Sequence, residues 1–192
     1  MHNCAATRAP SGRRAAPPPV DDVPPGSSST ATTTAMPLPA TSAPPAFDPP
    51  EPGWDERVRA SFARQGAMAT LGARLAAIEP GYCAIELTPR PEVAQQHGYV
   101  HAGVIAAIVD SAGGYAGFTL FPADSSVLSV EFKLNLLSPA QGERLVAEGF
   151  VVKPGRRLCI VRGEVHAEDR GRRTLVALMQ QTLMVMHGQP EA

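Results

Sequence analysis

Between His101 and Phe121 the chain runs for roughly 20 residues with almost no polar side chain, broken only by Asp110, a few hydroxyl residues and several glycines. That is too long for a strand. As an α-helix it would span about 30 Å, and since it is apolar on most sides it must be buried on most sides. A chain with such an element has to wrap other structure around it, and the segments C-terminal to the run supply the wrapping. Leu128, Val130, Phe132, Leu134 and Leu136 alternate with Ser129, Glu131, Lys133 and Asn135, the pattern of a strand with one apolar and one polar face. Three more strand-like runs come next, at 144–152, 158–167 and 174–186, separated by Pro154-Gly155 and by the turn Asp169-Arg170-Gly171.

Ahead of the helix, Trp54, Val58 and Phe62 share one face of an amphipathic helix over 54–65, with Asp55, Glu56, Arg57, Arg59 and Arg64 on the other. Gly66 and Gly72 loosen the pattern after it. Two strands are predicted at 71–78 and 82–88, joined by the turn Glu79-Pro80-Gly81, with Pro89 and Pro91 ending the second. Two strands, one buried helix and then four strands in succession imply an α+β fold, a curved antiparallel sheet around one central helix, its last strands forming a meander.

Residues 1–52 read differently. Thirteen of the 20 prolines precede Gly53, among Ala, Ser and Thr runs. Such a segment cannot bury enough apolar surface to offset the entropy of ordering it. The expectation is a disordered tail over 1–52, or a start placed upstream of the true one, and a folded domain over 53–188. Met1 to Arg14 lacks the apolar stretch of a secretory signal, and Asp21, Asp22 and the prolines argue against an amphipathic transit helix.

A cytoplasmic protein is expected, with no membrane partner, since no long apolar stretch is free of polar residues. Net charge is −1 with no basic stripe, which removes the footprint of a nucleic-acid binder. Cys4, Cys83 and Cys159 are too scattered for a disulfide framework or a Cys-x-x-Cys metal site, and the latter two read as small buried apolar residues. His97 and His101 stand four apart, but Gly98 lies between them and no acidic or thiol partner is near, so neither a metal nor a cofactor is expected. There is no Gly-x-Ser-x-Gly elbow, and Gly113, Gly114 and Gly117 fall inside the helix rather than in a dinucleotide-binding turn.

Asp110 carries the most information. Mid-helix in an apolar run it is expected to be buried, either as a satisfied structural anchor or as a tuned acid/base. Gly103, Ala107, Gly114 and Gly117 share its stripe at helical spacing, with Ala106 and Gly113 beside them. A glycine inside a helix costs roughly 1 kcal/mol relative to Ala, so several together mean that another backbone or a ligand approaches this face closely. At the helix start, unpaired N–H groups and the positive end of the helix dipole at Ala102 and Gly103 form either an ordinary capped terminus or a cradle for a developing oxyanion. Ala102 and Asp110 are eight residues apart, about 12 Å along a straight helix. One chain cannot bring both to one carbonyl, so joint action requires two antiparallel helices across a two-fold axis.

With His101-Ala102-Gly103 followed by Asp110 nine positions after the His, and with the stretch SVEFKLNLLSPA from Ser129 to Ala140, the segment from Trp54 to Met186 resembles the PaaI-type (phenylacetate-degradation type) hotdog thioesterases. The resemblance implies a hotdog fold, edge-to-edge homodimers or dimer-of-dimers tetramers with the active site at the subunit interface, and hydrolysis of acyl-CoA to carboxylate and CoA. Asp110 then resembles the catalytic carboxylate, acting as general base or nucleophile, and the amide of Ala102 the oxyanion donor within the His101 motif. Gln95 falls where many relatives have Asn, and Ser129 matches a hydroxyl that assists the attacking water. Ala102 and Gln95 depart from the family pattern, the former where the motif has Gly.

Gly103 and Gly114 would admit the substrate, and Arg156 and Arg157 form either a clamp for CoA phosphates or a solvated turn. The apolar surroundings favour a medium-chain, long-chain or aryl acyl group. A non-catalytic acyl-CoA-binding hotdog module is the alternative from another class, and an inert structural oligomer a third. A hotdog hydratase is disfavoured, because no Asp-x-x-x-x-His pattern starts at Asp110.

Overall fold

The structure, a computed structural model, describes residues 46–190. The tail expected over 1–52 falls mostly outside them. Of its last residues, Phe47 packs against the core and lies over Gly81, while Glu51 pairs with Arg57 at 3.8 Å, so contacts of the folded unit reach back past Gly53.

Helix α1 (Trp54–Ala63) is followed directly by a second short helix, α2 (Gly66–Leu71), where only a loosened pattern was expected. Gly72, in the left-handed region at φ 71°, ends α2. Leu71 therefore closes a helix instead of opening a strand, and β1 is Arg74–Glu79. It pairs with β2 (Tyr82–Leu87) through the turn at Gly81, whose φ is 80°. After a 3₁₀ turn at Pro91–Val93 comes the central helix α3 (Ala102–Phe118), and then β3 (Ser125–Leu136), β4 (Arg144–Lys153), β5 (Leu158–Asp169) and β6 (Arg172–His187).

The strands form one six-stranded antiparallel sheet in the order β1-β2-β4-β5-β6-β3. Strands β4 to β6 are the expected meander, and Arg170 and Gly171, at φ 49° and 75°, make the two-residue β5–β6 turn. Strand β3 departs from succession. Its chain neighbour β4 pairs with β2, so β3 crosses to the far edge and, among the described residues, pairs only with β6.

Helix α3 lies against the sheet with Ile108, Val109, Ala112, Phe118, Ile85, Leu87, Leu145, Val161 and Leu183 in a shared core. Ala112 to Thr119 are all buried, but the first half of α3 is not. Ala102 and Gly103 are exposed and Val104, Ala106, Ala107, Asp110 and Ser111 partly so, which corrects the expectation of burial on most sides and of a fully buried Asp110. Thr119 locks the far end. Its Oγ1 donates to the Ala116 carbonyl at 2.6 Å and accepts from the Gly81 N–H at 2.7 Å.

Two sheet glycines set the distance between helix and sheet. A Cβ on Gly149 would stand 2.4 Å from the Ala112 carbonyl oxygen and 2.6 Å from the Gly113 nitrogen, both backbone, and one on Gly163 would meet Val109 Cγ2 at 2.6 Å. Backbone atoms cannot swing aside as side chains do. Gly149→Ala should therefore push α3 off the sheet and cost about 1–3 kcal/mol, read as a lower urea midpoint at unchanged m; a midpoint equal to wild type would contradict this packing.

Candidate active site

The face of β3 that meets α3 is set by a bulge. Ser129 pairs with Leu183 but Glu131 pairs with Thr182, leaving Val130 as the extra residue. Side chains of directly paired residues point to the same side, so Val127 and Ser129 face the helix with Val185 and Leu183, and beyond the bulge Phe132 and Leu134 face it with Gln181 and Met179. Simple alternation put Ser129 on the polar face with Glu131 and Lys133. The bulge corrects this and brings the Ser129 hydroxyl to the helix.

There Ser129 Oγ donates to Asp110 Oδ1 at 2.7 Å. A second donor, absent from the sequence-level candidates, is Gln181 on β6, whose Nε2 lies 2.6 Å from the same Oδ1, 3.0 Å from Ser129 Oγ and 3.3 Å from the Asp110 carbonyl oxygen. Its signal was in the sequence: Met179, Gln181, Leu183 and Val185 share one strand phase, and Gln181 is the polar residue in an otherwise apolar series. Oδ2 of Asp110 has no hydrogen-bond partner among the described residues. Beside the carboxylate is a recess of about 90 Å³ lined by Gln65, Ser111, Gly114, Tyr115, Val127 and Ser129. Gln65, at the junction of α1 and α2, accepts from Ser111 Oγ at 3.4 Å and carried no sequence signal for this place.

The helix glycines divide by role. A Cβ on Gly113 would sit 2.0 Å from Gln181 Oε1 and one on Gly117 2.5 Å from Leu183 Cδ1, so both admit protein side chains. A Cβ on Gly114 would meet nothing within 4 Å. Only there does the stripe open onto space.

At the other end of α3, His101 is the N-cap and its Nδ1 accepts from the Gly103 N–H at 2.9 Å. Gly103 is thereby removed from the amides that could hold an oxyanion, and the Ala102 N–H, without a partner among the described residues, remains. Gln95 lies in the adjoining loop, where its Oε1 accepts from the His97 N–H and its backbone N–H donates to Tyr99 O at 2.8 Å. Its Nε2 makes no hydrogen bond among the described residues. Within one chain, then, Asp110 and Ser129 come together, while Gln95, His101, Ala102 and Gly103 form a separate group one helix-half away. Arg156 and Arg157 are exposed on the β4–β5 turn, holding His187 Nε2 and the Val185 N–H through their carbonyls at 2.6 and 2.9 Å, and do not line the Asp110 recess.

A second titratable cluster occupies the opposite face of the sheet. Ligand atoms of Glu148, Glu164 and His166 lie within 4.8 Å of one another, but the Arg173 guanidinium already pairs with Glu148 and contacts His166 Nδ1 at 3.1 Å. It reads as an ion-pair network. Cys83 and Cys159 are buried free thiols, and burial raises both, Cys159 to about 11, in keeping with the inert apolar role expected of them.

An antiparallel sheet curled round one long helix is the hotdog fold, here with a carboxylate at mid-helix. Residues 97–174 match the thioesterase superfamily. A thioesterase family protein of Silicibacter pomeroyi is 44% identical, with a TM-score of 0.70 over 71% of this chain and 100% of that one. The PaaI protein from the phenylacetic acid degradation operon of E. coli shares the fold at 16% identity, with a TM-score of 0.64 over 72% of this chain and 96% of that one. An esterase-named protein of Saccharolobus solfataricus is 31% identical over 91 residues, 47% of this chain and 60% of that protein, so the chain spans less than two thirds of that relative's length. The chain belongs to the hotdog-fold thioesterase family. Among the described residues no helix is long and apolar enough to cross a membrane.

Burial, and then the neighbouring Arg173, push His166 below its ordinary value, against the opposing pull of Glu148 and Glu164. A histidine lowered on folding binds its proton more readily when unfolded. Its contribution to stability is therefore complete above the unfolded value of about 6.5 and is lost as pH falls from there through the folded value. The melting temperature of wild type should fall more steeply between pH 7.5 and 5.5 than that of His166→Gln; parallel curves would contradict this.

Proposed function

We propose that the protein hydrolyses acyl-CoA thioesters, in the manner of the PaaI-type branch, with Asp110 as general base. The observation that carries this reading is the Asp110 carboxylate itself: Oδ1 is held by Ser129 and Gln181 at 2.7 and 2.6 Å, Oδ2 has no partner among the described residues, and the residue lines the recess at Gly114. A general base needs one oxygen fixed and the other in reach of water.

In the proposed reaction Oδ2 takes a proton from water as the water oxygen bonds to the thioester carbonyl carbon. The oxyanion so formed is held by a backbone N–H, and its collapse breaks the carbon–sulfur bond and releases CoA, which regains the proton. Ala102 is the donor, but the one in the same chain is about 12 Å from Asp110 along the helix. The working site is therefore assembled from two copies, Asp110 and Ser129 from one and the Ala102 amide, His101 motif and Gln95 amide from the other.

The exposed edge supports such pairing. Strand β3 has one edge unpaired among the described residues, and its Val130, Phe132 and Leu136 are 52%, 44% and 52% exposed. An apolar edge strand of this length is open to pairing with another strand. A homodimer, or a tetramer of two such dimers, is the proposed assembly. The acyl group is uncharged, medium-chain, long-chain or aryl, in keeping with Val127, Phe132 and Leu134 on the helix-facing side of β3. Arg156 and Arg157, exposed and without ion-pair partners among the described residues, suit CoA phosphates.

The test is CoA release in a thiol-trapping assay, over acyl-CoAs from acetyl to palmitoyl with phenylacetyl-CoA and 4-hydroxybenzoyl-CoA, for wild type and Asp110→Asn. A fall in kcat of about 100-fold or more, with the fold and oligomer intact, is expected. Equally slow release by both proteins on every substrate would replace hydrolysis with acyl-CoA binding alone.

A further inference from the structure

Gln181 is wholly buried, at 0% exposure, in strand phase with Met179 and Leu183, and its Oε1 has no hydrogen-bond partner among the described residues. An unpartnered buried carbonyl is costly, whereas an apolar side chain of the same shape at that place is not. Packing therefore favours Met or Leu at this position. The other half of the amide accounts for the Gln. Its Nε2 lies 2.6 Å from Asp110 Oδ1, 3.0 Å from Ser129 Oγ and 3.3 Å from the Asp110 carbonyl oxygen, and Ser129 Oγ donates in turn to the same Oδ1 at 2.7 Å. The three side chains close a ring.

The ring fixes the direction of every donor. A flipped amide would set Oε1 against the carboxylate oxygen that already accepts from Ser129 and leave the NH₂ group against the helix, so the carboxylate dictates the orientation and the unpaired Oε1 is its consequence. Gly113 makes the arrangement possible, since a Cβ there would lie 2.0 Å from Oε1. Both donors act on one carboxylate oxygen, which opposes rotation of the carboxylate and leaves Oδ2 without a partner among the described residues.

We propose that Gln181 is a positioning residue, retained against the stability of the core because its amide, with Ser129, fixes the Asp110 carboxylate so that Oδ2 faces the attacking water. This rests on reading Asp110 as the general base. Gln181→Met, nearly isosteric, separates the role from packing. On the acyl-CoA that wild type turns over fastest, it should lower kcat by about tenfold or more with KM within about twofold, while its melting temperature equals or exceeds that of wild type. Gly113→Ala, which displaces the amide from the helix side, should lower kcat in wild type and have no further effect in Gln181→Ala.

A Gln181→Met enzyme with kcat within about twofold of wild type, or one whose loss of activity comes with a lower melting temperature, would overturn the proposal. Asp110→Asn, run in parallel, tells the two readings apart. Wild-type kcat in Asp110→Asn removes the general-base reading and this inference with it; loss in Asp110→Asn beside full activity in Gln181→Met removes the inference alone.

Discussion

A carboxylate in the middle of an apolar helix has to be met by donors, and most of this structure can be traced to how that is done. Asp110 is met by Ser129 from the edge strand and Gln181 from its neighbour, at 2.7 and 2.6 Å. Side chains as short as Ser reach only if helix and sheet are close. Gly149 and Gly163 in the sheet and Gly113 and Gly117 in the helix provide that closeness, each at a point where a Cβ would come within 2.6 Å of a neighbouring atom. The bulge at Val130 provides the rest, by turning Ser129 to the helix side of β3. Helix glycines that weaken α3 locally are thus offset by contacts that no larger residue would permit.

The same helix separates the two groups on which the proposed chemistry depends. Its N-terminus, capped by His101 and carrying the unpartnered Ala102 amide, is open to solvent, while its second half, from Ala112 onward, is sealed in the core. Asp110 lies at the border between the two regions. A rigid rod cannot fold back on itself, so a carbonyl can be reached from both ends only when a second rod lies antiparallel to the first. The exposed apolar edge of β3, on the strand that carries Ser129, is where a two-fold partner would place it. Catalysis and assembly would then share one surface, and the apolar residues that hold the dimer would also exclude water from the thioester.

The long apolar run at 101–121 made the enclosed helix and the curved sheet legible, because no other arrangement of the flanking alternating runs buries it. Asp110 stood out for the same reason. What misled was local. Alternation in β3 placed Ser129 with Glu131 and Lys133, since a bulge leaves no mark in a hydrophobic pattern when the extra residue is itself apolar, as Val130 is. The crossing of β3 to the far edge is decided by which strand wins the edge of β2, a competition between distant segments. Helix α2 was hidden by its two bounding glycines, one of which, Gly72, is its cap. Gln181 was legible as a polar residue in a buried phase, but its meaning required knowing that the phase points at Asp110. The equal treatment of the Ala102 and Gly103 amides failed because a His side chain accepts from one of them, an unusual N-cap that residue preferences do not favour.

Whether the two half-sites come from different copies can be measured directly with complementing defects. Ala102→Pro deletes the unpartnered N–H at the first helical position, where Pro is favoured, and His101 at φ −62° and ψ 140° already has the extended backbone that precedes Pro. Co-expressed with Asp110→Asn under a second tag and purified through both, it gives a mixed dimer in which one site is intact and the other doubly broken. That dimer should hydrolyse acyl-CoA at about half the wild-type rate although each parent is inactive; a mixed dimer as inactive as its parents would show that Asp110 and Ala102 do not serve one site across the two-fold axis.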